Sequence, residues 1–318
     1  MDRSLYKISN LNQMDPFLMT ITSGSDHWMY LSSTGCLTAG RIKAEYALFP
    51  YVTDDLLHRN GHFTGPVTVI RINDGDKNLL WRPFSIHDES YEKECNLYKN
   101  SLGDTVIFEE INKSLGLTFL YKWQSSTKYG FVRKSKLINN SQKILNVELI
   151  DGLQNIMPAN IELRTQQGMS NLANAYKVSE YTPDTNCALF FLNALLMDRP
   201  EPGESLYTNI IWSYYGGEKI ISLSEKDIVR FTNDGTFNGT HIIKGKPGCF
   251  LTKIKENINP NNEIYWYTIA DVQKSQSDVT HLICGLNDST NIELKLKKST
   301  EETPQLLEGA VGSADGYQ

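Results

Sequence analysis

The 318-residue chain is 40% apolar and 21% charged and carries a formal net charge of -6. These values exclude wholesale disorder and the strongly basic face that phosphate neutralisation demands of a nucleic-acid binder. A chain of this length hides enough surface to fold without disulfides or metal, and its short basic stretches, Lys134 to Lys136 and Lys295 to Lys298, read as solvated faces.

From the N-terminus, Lys7, Asn10, Gln13 and Asp15 interrupt any apolar run of the kind a signal peptide needs. The longest apolar segment, Cys187 to Met197, contains Asn193 and is too short to span a bilayer. The expectation is a soluble, cytoplasmic protein with no membrane partner.

Strand patterns dominate the chain. Val67 to Ile72, Tyr207 to Tyr215 and Ile264 to Val272 are rich in β-branched and aromatic residues. Leu117, Phe119, Tyr121 and Trp123 alternate with Thr118, Leu120 and Lys122, and Leu145, Val147 and Leu149 alternate with Asn146 and Glu148, the period of a half-buried strand. Turn signals separate these runs at Asn73-Asp74-Gly75, Asn139-Asn140-Ser141, Asp234-Gly235, Lys246-Pro247-Gly248 and Asn259-Pro260-Asn261. Gly216-Gly217 reads as a hairpin turn into a strand at Lys219 to Leu223. A short helical turn is expected around Ser170 to Lys177. Near the end, Ile292, Leu294 and Leu296 read as a strand end, followed by a charged linker with helical as well as extended readings open. No fixed-period repeat occurs. The fold class expected is all-β, an antiparallel sandwich over residues 1–287, with 288–318 as linker.

Catalytic signals are weak. His58 and His62 have the spacing of a helical zinc pair, but Asn60 and Gly61 separate them and the general-base Glu is missing, so a surface loop is expected. The five cysteines, Cys36, Cys95, Cys187, Cys249 and Cys284, lack the close spacing of a zinc or redox motif and read as buried free thiols. No cofactor and no metal is expected. Serine-nucleophile and phosphate-loop motifs are absent. The carboxylate doublets Asp54-Asp55 and Glu109-Glu110 point to opposite strand faces, so neither makes a glycosidase dyad by itself; solvated turns or edges are expected. Aromatics are more suggestive, because Trp28, Tyr30, Trp81, Tyr214, Tyr215, Trp266 and Tyr267 have flat faces suited either to a core or to sugar rings.

Residues 26–85, with DHWMYLSSTGCLTAGRIKAEYALFPYVTDD, TGPVTVIRI and LLWRPFS, resemble the opening of cellobiose phosphorylase-like proteins within a wider group of glycoside hydrolases and phosphorylases. Trp81-Arg82-Pro83 matches that family's W-x-P element, Pro202-Gly203-Glu204 its P-G-E turn, and Tyr267 to Val272 its closing strand. The family's glycine-rich element is reduced here to Thr34-Gly35-Cys36 and Ala39-Gly40. The resemblance implies a galactose mutarotase-like supersandwich of two large antiparallel sheets. It also implies that catalysis belongs to an (α/α)6 barrel that follows the sandwich, so no catalytic residue is carried over.

The expected role is therefore that of a non-catalytic N-terminal domain of a glycoside phosphorylase or hydrolase, packed on a catalytic barrel. Contact with oligosaccharide and homodimer formation are further expectations. The candidate contact residues are Arg41, Tyr51, Asp54 and Trp81, pairing directional hydrogen bonds with flat apolar faces; the competing reading pairs Arg41 with Asp54 near a turn. A free-standing mutarotase-like enzyme, using His87 or His241 with a carboxylate, is the alternative from another class. A purely structural module is the third.

Overall fold

Alternating sequences become strands in the computed structural model, which describes residues 4–53, 55–74, 77–85, 90–195, 203–287 and 291–315. The first strands are β1 (Leu5–Ile8), β2 (Leu18–Ile21), β3 (His27–Ser32) and β4 (Leu37–Arg41). After helix α1 (Asp55–Arg59) come β5 (Gly65–Asp74), β6 (Lys77–Trp81), β7 (Lys93–Asn100), β8 (Val106–Asn112) and β9 (Leu117–Ser126). Then follow β10 (Gly130–Asn139), β11 (Leu145–Ile156), helices α2 (Leu163–Gly168) and α3 (Ser170–Tyr176), β12 (Lys177–Thr182) and β13 (Cys187–Leu192). The last part comprises β14 (Tyr207–Tyr214), β15 (Ile220–Ser222), α4 (Lys226–Asp234), β16 (Ile242–Lys244), β17 (Gly248–Ile258), β18 (Glu263–Ser275), α5 (Gln276–Asn287) and α6 (Ile292–Asp315).

A ten-stranded sheet, ordered β1-β7-β8-β9-β10-β18-β14-β13-β12-β16, faces a five-stranded sheet, β15-β17-β11-β5-β6, and a three-stranded sheet, β2-β3-β4, completes the body. The strand pairs are antiparallel, so the all-β expectation holds, with one very large sheet opposite a smaller one. Period-2 burial builds the interior: Leu117, Phe119 and Trp123 from β9, Phe131 and Leu137 from β10, and Val147, Leu149 and Leu153 from β11 enter one core.

A polar node joins the two sheets through that core. The Asp151 carboxylate on β11 accepts hydrogen bonds from Thr68 Oγ1 at 2.6 Å, Arg133 Nη1 at 2.7 Å, Trp266 Nε1 at 2.6 Å and Ser135 Oγ at 3.2 Å. Arg133 and Asp151 are both fully buried, and the guanidinium stacks 4.4 Å from the centre of the Tyr121 ring. A buried charge needs this many partners to offset its lost hydration.

Three local expectations need correction. Gly216-Gly217 does not close a hairpin: β14 belongs to the ten-stranded sheet, whereas β15 pairs with β17 of the five-stranded one, so the chain crosses between layers there. The short helical turn expected around Ser170 to Lys177 is present as α3, Ser170–Tyr176. Gln276–Asn287, inside the expected sandwich, is also helical. Ile292, Leu294 and Leu296 begin α6 rather than a strand. Leu296, Ser299, Thr300 and Thr303 are buried while Leu294 is 59% exposed, a helical period that the short alternation concealed. Leu296 packs with Tyr129, Val132, Trp212, Tyr267 and Ile269 on the outer face of the ten-stranded sheet. Among the described residues, no helix is long and apolar enough to cross a membrane.

Candidate functional site

The three-stranded sheet separates its side chains by strand alternation. Met29 and Leu31 enter the core, while Trp28 is half-buried and Tyr30 is 38% exposed on the opposite face. Trp28 stacks on Tyr30 with centroids 5.9 Å apart and planes at 29°. The Tyr51 ring meets Trp28 edge-on at 5.5 Å, and the Tyr51 backbone N–H donates to Gln166 Oε1 at 3.2 Å. Beneath them, Gly40 is the cross-strand partner of Trp28. A Cβ at Gly40 would stand 2.3 Å from Trp28 Cζ2 and 2.4 Å from the Tyr46 carbonyl oxygen, so only glycine lets the indole lie this close to the backbone. The result is a patch of three aromatic rings on the solvent side of a sheet.

Arg41 lies on the other face, opposite His27. Its guanidinium bonds Asp26 at 2.8 Å through Nη2 and Asp271 at 3.2 Å through Nη1, and Lys274 joins Asp271 at 2.5 Å. Burial acts to raise the Asp26 pKa, but the Arg41 hydrogen bond and charge outweigh it and hold the carboxyl below its usual value. Burial, reinforced by the Arg41 charge, pushes the His27 imidazole down to about 4. His27 Nδ1 meets Ser25 Oγ at 2.7 Å, and its Nε2 is buried without a partner. The carboxylates bonded to Arg41 are thus Asp26 and Asp271, and the guanidinium ties the small sheet to the large one. Asp54 lies outside the described residues.

Trp81 is 1% exposed, so the ring expected to meet ligand is instead enclosed by core. Its indole N–H donates to Glu110 Oε1 at 2.7 Å, and Glu110 Oε2 accepts the Phe84 backbone N–H at 2.5 Å. Phe84 has φ +62°, costly for a bulky residue, and the bond to Glu110 fixes that conformation. Burial raises the Glu110 pKa against the opposing pull of these donors. Glu110 was expected at a solvated edge. It is buried because β8 places it in phase with Val106, Phe108 and Asn112.

Phe84 and Ser85, which follow the W-x-P element, line a cavity of about 570 Å³ together with Phe108, Lys93, His58 and Arg59. His58 is carried by α1 rather than a loop, and His58 Nδ1 lies 2.7 Å from Ser32 Oγ. This pair is a poor nucleophile and base. Ser32 is fully buried, its oxygen also accepts the Thr34 N–H, and no described carboxylate orients the imidazole. The Cys95 thiol beside it is pushed up to about 12 by burial and the neighbouring Glu110 charge, far from a reactive thiolate. Cys36, Cys95, Cys187 and Cys249 are buried free thiols, while Cys284 is exposed. Among the described residues, no group of three or more His, Cys, Asp or Glu is arranged to hold a metal. His241 meets the Tyr181 ring at 5.2 Å, and His87 lies outside the described residues.

No protein-family model matches the sequence, and no curated protein matches it. Partial structural similarity to solved structures does occur. One is a polysaccharide lyase, with TM-score 0.44 and 10% identity over 85% of this chain and 34% of that one. Another is a bacterial glucoamylase complexed with acarbose, with TM-score 0.36 and 10% identity over 92% of this chain and 39% of that one. A third is described as a kojibiose phosphorylase from the human microbiome, with TM-score 0.37 and 10% identity over 76% of this chain and 27% of that one. The chain spans little more than a third of the length of these proteins at most.

Proposed function

We propose that this chain is the non-catalytic, galactose mutarotase-like β-sandwich of a carbohydrate-active enzyme, packing on a catalytic (α/α)6 barrel and contacting oligosaccharide through Trp28, Tyr30 and Tyr51. The observation that carries the reading is the aromatic patch on the outer side of β3. A pyranose presents an apolar face of C–H groups that stacks on an aromatic ring, while its hydroxyls need polar partners at the rim. The Tyr30 and Tyr51 hydroxyls supply donors and acceptors beside the Trp28 ring. Arg41 and Trp81 act indirectly, Arg41 by anchoring β4 to β18 and Trp81 by holding Glu110.

The described side chains support binding better than turnover: Ser32 beside His58 is buried with no described carboxylate on the ring, and at His27 the Asp26 carboxylate approaches the same Nδ1 that meets Ser25, so neither pair forms a relay. Calorimetric titration with maltotriose and cellotriose tests the reading. Saturable heat with at least one sugar, abolished by W28A, is expected. Heat with neither sugar would leave only the architectural role, and sugar turnover by the isolated chain would remove the non-catalytic one.

A further inference from the structure

The outer face of the ten-stranded sheet carries two lysines placed side by side. Lys122 on β9 and Lys134 on β10 are direct cross-strand partners. Both point away from the core, because their strand neighbours Tyr121, Trp123, Arg133 and Ser135 point into it. Like charges directly opposite one another destabilise an antiparallel pair, so the arrangement calls for a compensating anion.

None of the described side chains supplies it at close range. No described carboxylate comes within the 4.0 Å of an ion pair of either ammonium. Lys134 Nζ lies over the rings of Tyr265 and Tyr267, at 4.5 and 5.2 Å from their centres. The Lys122 ammonium makes no hydrogen bond to a described residue. The neighbouring acids have other partners or stand off: Asp104 accepts from Asn100 and Thr105, Glu293 binds Lys297 at 2.7 Å, and Glu301 lies on the roof of the cavity. Burial lowers the Lys122 pKa, with Lys134 adding to the effect and the more distant Asp104 and Glu301, which also line the cavity, only partly opposing it; burial likewise lowers that of Lys134 against Glu293 and Glu263.

Helix α6 passes over this face and encloses a cavity of about 430 Å³, floored by Lys122, Gln124, Lys134 and Tyr267, with Lys297 and Thr300 above. That volume suits a small polar molecule. We propose that the cavity binds the oxyanion of a small phosphate compound, shared between the Lys122 and Lys134 ammonium groups. A doubly charged oxyanion between them converts the cross-strand repulsion into two charge-assisted contacts. The site lies on a different sheet from the aromatic patch and is independent of it.

The test is calorimetry on the whole chain with inorganic phosphate, glucose 6-phosphate and glucose. Binding of either phosphate compound, but not of glucose, is expected, and the two phosphate arms distinguish free phosphate from an ester. K122Q and K134Q are expected to weaken binding by about tenfold or more, one ion-pair contact's worth. K136Q, whose lysine pairs with Glu263 on the same strand face, serves as control and is expected to bind normally. Thermal melts give a second readout. Phosphate is expected to raise the Tm of the unsubstituted chain, whereas K122Q is expected to melt higher than that chain without phosphate and to lose the phosphate response. No binding by the unsubstituted chain, or an equal loss in K136Q, would overturn the proposal.

Discussion

The Trp28 indole lies against the backbone of Gly40, so closely that any Cβ there would stand 2.3 Å from Cζ2. A missing side chain on β4 thus sets the position of an aromatic ring on β3, and that ring organises Tyr30 and Tyr51 around it. The same Cβ would also meet the Tyr46 carbonyl at 2.4 Å, an obstruction that no rotamer change relieves.

Gly40→Ala is therefore expected to lower stability by about 1–3 kcal/mol, the usual cost of overpacking, and to weaken oligosaccharide binding beyond what a stability-matched control loses. Urea unfolding and calorimetry on the same samples check both effects.

The Arg133–Asp151 pair gives a second expectation. Arg133→Met leaves a buried carboxylate without its counter-charge and is expected to cost about 3–5 kcal/mol. Asp151→Asn keeps partners for Thr68 and Ser135 and is expected to cost less. Combining the two substitutions is expected to cost less than their sum, because the charge left behind by the first is removed by the second. A double-mutant cycle from urea midpoints measures the coupling.

His27 makes stability depend on pH. Its folded value of about 4 lies below the ordinary histidine value of about 6.5. Between these values the unfolded chain binds more protons than the folded one, so stability falls as pH drops from about 6.5 to about 4, by roughly 3 kcal/mol in total from this group. Glu110, whose pKa is raised by burial, opposes part of this trend. The difference between the parent chain and His27→Gln isolates the histidine: the parent is expected to lose more stability than the variant between pH 6.5 and pH 4.5.

Docking of α6 is expected to depend on Leu296, which is fully buried against Trp212, Tyr267 and their neighbours. Leu296→Ala is expected to cost about 2–5 kcal/mol if the helix unfolds with the body. Hydrogen exchange across residues 292–315 checks whether the helix protects as part of the sandwich.

Much of the fold was legible because strand burial has a period of two. Leu117, Phe119, Tyr121 and Trp123 all enter the core as their alternation predicts. The start of α6 was not, although a helical reading of the charged segment after it was open, since Ile292, Leu294 and Leu296 satisfy a two-residue alternation while Ile292 and Leu296 also satisfy a helical four-residue step. Only the exposure of Leu294 separates the two. At the candidate site, Tyr51 was one of the four expected contact residues and lies beside Trp28, which the sequence offered only as one of seven aromatic candidates. Trp81 and Arg41 lie apart from that surface, because Arg41 finds Asp271 across 230 positions and Trp81 finds Glu110 in the facing sheet. Such long-range partners leave no local pattern. The phase of Glu110 with Val106 and Phe108 was the one available sign that this carboxylate turns inward.

A crystal of the chain soaked with maltotriose tests the central claim most directly. The account predicts a sugar ring lying flat on Trp28 and Tyr30, with hydroxyls reaching Tyr51. Saccharide bound only in the cavity between Phe84 and His58, or a bare Trp28 face at saturating sugar, would contradict it.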